Sequence, residues 1–145
     1  MEETKELPDG LYARITALTE SGNREFDAGR FHAAMANFNR ALELIPEPRE
    51  EWQAATWVLT ALGDCAFRLG DFAAARDHLN RAVRCPDGLG NPFIHLRLGQ
   101  AQLRLGNEAR AKDELARAYM GGGPEIFEDE DPAYLAFLRR FMNGI

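Results

Sequence analysis

Three glycine–glycine–alanine sets recur along the chain with one internal spacing, and this recurrence restricts the fold more than any other feature. The sets are Gly22, Gly29 and Ala34; Gly63, Gly70 and Ala75; Gly99, Gly106 and Ala111. Within each set the offsets are seven and then five residues, and the step between sets is 41 and then 36 residues. A fixed pattern that returns at a step of about 30 to 45 residues marks stacked helical hairpins. Each hairpin buries its apolar stripe only against a neighbour, so the units fold as one array.

The second unit shows how the pattern works. Leu59, Leu62, Ala66 and Leu69 recur at helical spacing. Gly63 interrupts them at a cost of about 1 kcal/mol relative to alanine. Three repetitions of that cost imply a gain, namely close approach of the paired helix. Gly70 ends the helix, because glycine adopts the left-handed C-cap conformation without a Cβ clash. Phe72, Ala75, Leu79, Ala82 and Val83 form the stripe of a second helix, which Cys85-Pro86-Asp87-Gly88 breaks. In unit one, Phe31, Ala34, Met35, Phe38, Ala41, Leu42 and Ile45 line the second helix, and Pro46-Glu47-Pro48 closes it. In unit three, Asn91-Pro92 is an N-cap followed by a first-turn proline. Gly106 is the C-cap there, and Gly121-Gly122-Gly123-Pro124 ends the unit. Asp131-Pro132 opens one more helix, whose apolar face is Tyr134, Leu135, Phe137, Leu138, Phe141 and Met142. That helix is a cap over the open edge of unit three or, alternatively, a dimer contact or partner anchor.

These residues resemble the tetratricopeptide repeat. The resemblance rests on Gly22, Gly29, Phe31, Ala34, Phe38, Ala41 and Pro46 in unit one. It rests on Leu59, Leu62, Gly63, Gly70, Phe72, Ala75, Leu79 and Ala82 in unit two, and on Leu98, Gly99, Gly106, Ala111, Leu115 and Ala118 in unit three. It implies an all-α solenoid of antiparallel hairpins with about seven helices. One domain spans residues 1–145, with repeats near 15–48, 56–89 and 92–125 and a capping helix at 132–143. Glu25 and Gln102 stand where the family prefers an aromatic, and His95 where it prefers tryptophan or leucine. Glu108 replaces the aromatic that Phe31 and Phe72 supply, so unit three is the weakest match. The first step exceeds the family's usual length, and the excess falls at Pro46–Glu51. A longer loop or an extended first helix of unit two would absorb it.

Stacked hairpins form a superhelix whose inner face comes from the first helices. By helical phase the groove residues are Asn23, Phe26 and Asp27 in unit one and Trp57, Thr60, Asp64, Phe67 and Arg68 in unit two. In unit three they are Phe93, Leu96, Gln100, Leu103 and Arg104. Aromatic and arginine side chains with a few polar groups are the composition of a binding groove. Phe26, Phe67 and Leu103 could equally pack between neighbouring repeats. One branch of the family grips the C-terminal carboxylate of chaperone tails with asparagine and lysine or arginine. Only Asn23 matches that clamp here; Thr19, Asp64, Leu96 and Gln100 hold the other places, and Asp64 would repel a carboxylate.

Composition narrows the partner. Net charge is −6, with acids gathered at Glu2, Glu3, Glu6 and Asp9 and again at Glu125, Glu128, Asp129, Glu130 and Asp131. Clustered cations, the footprint of nucleic-acid binding, are missing. The acids serve solubility or, alternatively, a basic protein partner. The apolar runs are too short for a membrane span, and the acidic Met1–Glu6 stretch is no secretory leader, which points to the cytoplasm. Cys65 and Cys85 are too few for a disulfide scaffold, and Cys65 falls at a small core position. His32, His78 and His95 share no metal-like spacing, and no phosphate loop or zinc motif occurs. No cofactor, metal or catalytic constellation is therefore expected, and a monomer is favoured. The leading expectation is a small non-catalytic adaptor that binds a peptide or protein in the groove. The alternatives are an immunity protein against a bacterial toxin and a secretion-type chaperone. The segment from Tyr119 to Tyr134 resembles the ending of small bacterial tetratricopeptide proteins from toxin loci.

Overall fold

The computed structural model describes residues 7–145; Met1 to Glu6, including the acidic Glu2, Glu3 and Glu6, lie outside the described residues. Among the described residues there are seven α-helices, two short 3₁₀ turns and no strand. Hairpin one pairs α1 (Asp9–Asp27) with α2 (Phe31–Leu44). Hairpin two pairs α3 (Gln53–Arg68) with α4 (Phe72–Val83), and hairpin three pairs α5 (Pro92–Arg104) with α6 (Glu108–Gly122). A 3₁₀ turn, Pro124–Phe127, leads to α7 (Pro132–Arg139). Each second helix also packs on the first helix of the next hairpin, α2 on α3 and α4 on α5.

The repeated glycines do two separate jobs. Gly29, Gly70 and Gly106 sit at φ of 77°, 79° and 84°, the left-handed region. Past each one the chain turns back by the same bond. Arg30 N–H donates to the Glu25 carbonyl at 2.8 Å, Asp71 N–H to Ala66 at 2.9 Å and Asn107 N–H to Gln102 at 2.8 Å. These are Schellman caps, which satisfy orphaned carbonyls and set the hairpin angle.

Gly22, Gly63 and Gly99 instead admit a large side chain from the paired helix. A Cβ on Gly22 would lie 2.6 Å from the Phe38 ring, one on Gly63 2.5 Å from Leu79 Cγ, and one on Gly99 2.7 Å from Leu115 Cγ. Glycine and knob are 16 residues apart in all three units. Ala34, Ala75 and Ala111 are fully buried at the same contacts.

The long first step is absorbed in two ways. A 3₁₀ turn, Arg49–Glu51, occupies the loop, and α3 starts ten residues before Gly63 whereas α5 starts seven before Gly99. The loop is held by Arg81, whose Nη2 lies 2.8 Å from Glu50 Oε1, and by the Trp52 indole, which donates to the Pro46 carbonyl at 3.0 Å. The Arg81 hydrogen bond, the largest influence on it, holds the Glu50 carboxyl below its ordinary range.

Two apolar clusters form the interior. One runs from Ile15 through hairpins one and two to Ala101. The other joins Leu96, Ala111, Leu115 and Ala118 to Phe127, Tyr134, Phe137 and Leu138 of the C-terminal segment. The last helix thus covers the edge of hairpin three. It ends at Arg139 rather than near 143, because the tail folds back and the Ile145 carbonyl accepts from Arg139 Nε at 3.0 Å.

The glycine–knob contact is checked by a double-mutant cycle in urea. Gly63→Ala is expected to destabilise by about 1–3 kcal/mol through overpacking, despite a helix-propensity gain of about 1 kcal/mol. Combined with Leu79→Ala its cost should shrink, giving a coupling of about 1 kcal/mol or more. The surface change Arg84→Ala should stay within about 0.5 kcal/mol. A Gly63→Ala variant as stable as the parent would contradict the close contact.

Candidate functional site

The first helices carry one stripe of exposed or half-buried polar and aromatic side chains. On α3 the spacing Gln53, Trp57, Thr60, Asp64 is four, three and four residues, one helix face. Trp57, Thr60 and Asp64 line a cleft of about 300 Å³ with Thr56, Ala61, Pro86, Asp87, Asn91 and Phe93. Trp57 is 56% exposed. The opposite wall is the turn at Pro86–Asn91. Thr56 Oγ1 donates to the Pro86 carbonyl at 2.7 Å, and Gln53 Nε2 donates to Asp87 Oδ2 at 3.0 Å. Asn91 caps α5 with Oδ1 accepting from the Phe93 and Ile94 amides, which fixes the Phe93 backbone at the cleft edge.

Below this cleft the face is closed by an ionic network around Arg97, which the helical phase did not single out. Arg97 is 3% exposed. Its Nε donates to Asp64 Oδ1 at 2.9 Å, and its Nη1 donates to Gln100 Oε1 at 2.7 Å and to Glu130 Oε1. Gln100 Nε2 donates to the same Glu130 oxygen at 2.8 Å. The guanidinium carbon sits 4.9 Å from the Phe67 ring centre and 5.1 Å from that of Phe93. A buried cation is tolerable only with such pairing. The signal was an arginine inside the apolar run Phe93-Ile94-His95-Leu96-Arg97-Leu98, a position where an unpaired charge would be costly.

The structure sorts the groove residues chosen by phase. It brings Trp57, Thr60, Asp64 and Phe93 together around one cleft. Asn23 and Asp27 are exposed on α1, outside that cleft. Phe26 stacks edge-on against Phe31 at 5.2 Å and lies 5.4 Å beneath Arg68; Phe67 does the same against Phe72 at 5.5 Å. Both rings therefore belong to the junctions between units. Arg68 also lies 3.4 Å from Asp64. Arg104 Nε donates to the Tyr134 hydroxyl at 2.8 Å and sits over Phe72. Leu96 and Gln100 do not line an open groove: they are 1% and 0% exposed, and Leu103 is half-buried. The reason is that the chain's own segment from Pro124 to Arg139 covers the inner face of α5.

Three of the departures from the repeat pattern, Glu25, Gln102 and His95, have a local partner. Glu25 pairs with Arg30 at 2.6 Å, Gln102 Oε1 accepts from Asn107 at 2.7 Å, and His95 is held at both ring nitrogens. Gly90 N–H donates to His95 Nε2 at 2.9 Å, so the proton is on Nδ1, which donates to Glu114 at 2.5 Å. Cys65 is fully buried behind the stripe. Burial first, and then the Asp64 charge, push its thiol up to about 12, so it is a core side chain rather than a nucleophile. Among the described residues no cluster of three or more histidine, cysteine or acidic side chains could hold a metal. No helix there is long and apolar enough to cross a membrane.

A family model described as tetratricopeptide repeat matches residues 13–87, just over half of the chain. The chain belongs to the tetratricopeptide repeat family. The matched region stops after hairpin two, ahead of the unit that departs most from the pattern. No curated protein matches the sequence. Among solved structures, the C-terminal tetratricopeptide-containing domain of a putative FK506-binding protein from Plasmodium falciparum is similar, with a TM-score of 0.72 and 16% identity over 95% of this chain and 93% of that one. The Yersinia enterocolitica type III secretion chaperone SycD, in complex with a peptide of the translocator YopD, gives 0.68 at 16% identity, over 87% of this chain and 90% of that one. The first tetratricopeptide domain of Spaghetti (RPAP3), bound to an HSP90 peptide, gives 0.66 at 22% identity, over 88% and 92%. At these identities the likeness is one of fold.

Arg97 and Arg68 both touch Asp64 but differ in burial, which separates them experimentally. Arg97→Met leaves two carboxylates facing each other in a covered site and is expected to cost about 3 kcal/mol. Arg68→Ala removes an exposed pair and should cost less than about 1 kcal/mol. Thermal unfolding that ranks the two variants alike would contradict the network as described.

Proposed function

We propose that the chain is a non-catalytic interaction module that takes a segment of a partner protein along the first-helix face. The observation that carries this reading is Trp57. It is a large ring left 56% exposed on that face, beside a preformed apolar cleft completed by Phe93. Exposed tryptophan at a concave, mostly apolar site is the usual form of a binding anchor. The similar folds of SycD and RPAP3 hold a YopD peptide and an HSP90 peptide respectively, which supports peptide binding as the mode. A carboxylate tail is a poor fit here, because the groove cations are already spent on Asp64, Glu130 and Tyr134. The module is read as cytoplasmic, in keeping with its acidic composition.

The test is capture from native lysate by the parent, by Trp57→Ala and by Arg84→Ala. Proteins held by the parent and by Arg84→Ala should be lost with Trp57→Ala, which leaves the fold within about 0.5 kcal/mol of the parent. With a partner in hand, the loss should be at least about 2 kcal/mol of binding free energy. Equal capture by all three would move the site off this face.

A further inference from the structure

The half-buried Phe26, Phe67 and Phe93 of the first helices each lie under one of the chain's own arginines. Arg68 covers Phe26, Arg97 lies between Phe67 and Phe93, and Arg104 lies over Phe72 and Tyr134. The arrangement around Arg97 is a complete arginine site: two aromatic faces at about 5 Å and two carboxylates on the guanidinium. Cation–π contact and charge-assisted hydrogen bonds act together there.

Trp57 departs from this rule. No arginine or lysine among the described residues lies over it, and no lysine or arginine lines its cleft. The carboxylates are nevertheless in place. Asp64 stands at one end of the Gln53–Trp57–Thr60–Asp64 stripe, and it meets both Arg68 and Arg97 through Oδ1. Asp87 stands at the other end, bonded to Gln53, which lies one helical turn (about 6 Å of rise) before Trp57 on α3. Asp87 accepts from the neutral Gln53 amide and forms no ion pair among the described residues. A ring and two carboxylates thus line one cleft, without a cation among its lining residues.

We infer that the Trp57 cleft takes an arginine side chain of the partner segment, stacked on the indole with its guanidinium on Asp87. The cleft volume of about 300 Å³ suits one long side chain. The inference rests on the interaction-module reading and names the chemistry of its anchor. Arginine fits better than lysine because its planar guanidinium stacks on an indole and bonds a carboxylate at once.

The experiment is a heteronuclear NMR titration of the full chain. The probes are acetyl-Gly-Arg-Gly-amide, the same peptide with neutral citrulline in place of arginine, and the same peptide with glutamate. The arginyl peptide is expected to shift the Trp57 indole N–H and the Asp87 amide saturably, and at least about tenfold more tightly than the citrulline peptide. Asp87→Asn is exposed and its left-handed backbone suits asparagine, so the variant folds. It should weaken the arginyl peptide severalfold and leave the citrulline peptide unchanged. Equal affinity for citrulline, tighter binding of glutamate, or no saturable shift at Trp57 would overturn the inference. None of these outcomes touches the module reading, which fails instead if Trp57→Ala retains its captured partners.

Discussion

One contact sets the geometry of this chain: a large apolar side chain of each second helix seated on a bare glycine of the first. Phe38 on Gly22, Leu79 on Gly63 and Leu115 on Gly99 approach to distances that any Cβ would obstruct. Close axes inside each hairpin let small Ala34, Ala75 and Ala111 disappear from solvent. Dispersion gained over such contacts is small per atom pair and large in sum, which offsets the propensity lost at each glycine. The Schellman caps then return the chain at the same angle three times. With hairpins of one shape, stacking α2 on α3 and α4 on α5 follows from burying the remaining stripes.

Stacking leaves two unequal ends on the inner face. At the C-terminal end the chain completes its own superhelix, with Glu130 reaching Arg97 and Gln100 and Tyr134 reaching Arg104. The acidic stretch before α7 is therefore partly structural: Glu130 is an ion-pair partner, while Glu128 and Asp129 remain exposed. At the middle of the face Trp57 stays exposed among the described residues, and the cleft beside it stays open. The candidate site is what the array leaves unfilled.

The fold was legible because the units share one spacing, and the spacing has a steric cause. Helix starts at Asn91-Pro92 and Asp131-Pro132 were legible too, since cap and first-turn proline are local signals. The site was legible in part. Helical phase gathered Trp57, Thr60 and Asp64 on one face, as in the structure, because they sit on one helix and need no knowledge of neighbours. It misplaced Leu96 and Gln100 because their surroundings depend on the course of residues 124–139, a long-range matter that phase does not encode. Phe26 and Phe67 followed the same logic: each meets a ring of its own hairpin, but the arginine that partly covers it comes from the next unit. Arg97 went unnoticed because its counter-ions lie 33 residues away on either side.

The central claim is that the C-terminal segment is part of the array, closing hairpin three so that the open cleft lies at Trp57. Urea unfolding of a chain ending at Gly123, followed by far-ultraviolet circular dichroism beside the full chain, tests it most directly. Removing Phe127, Tyr134, Phe137 and Leu138 uncovers the second core cluster and strips Arg97 of Glu130. The expected result is a transition that begins at lower urea and broadens as hairpin three melts ahead of the first two. A single transition with the midpoint and slope of the full chain would contradict the account.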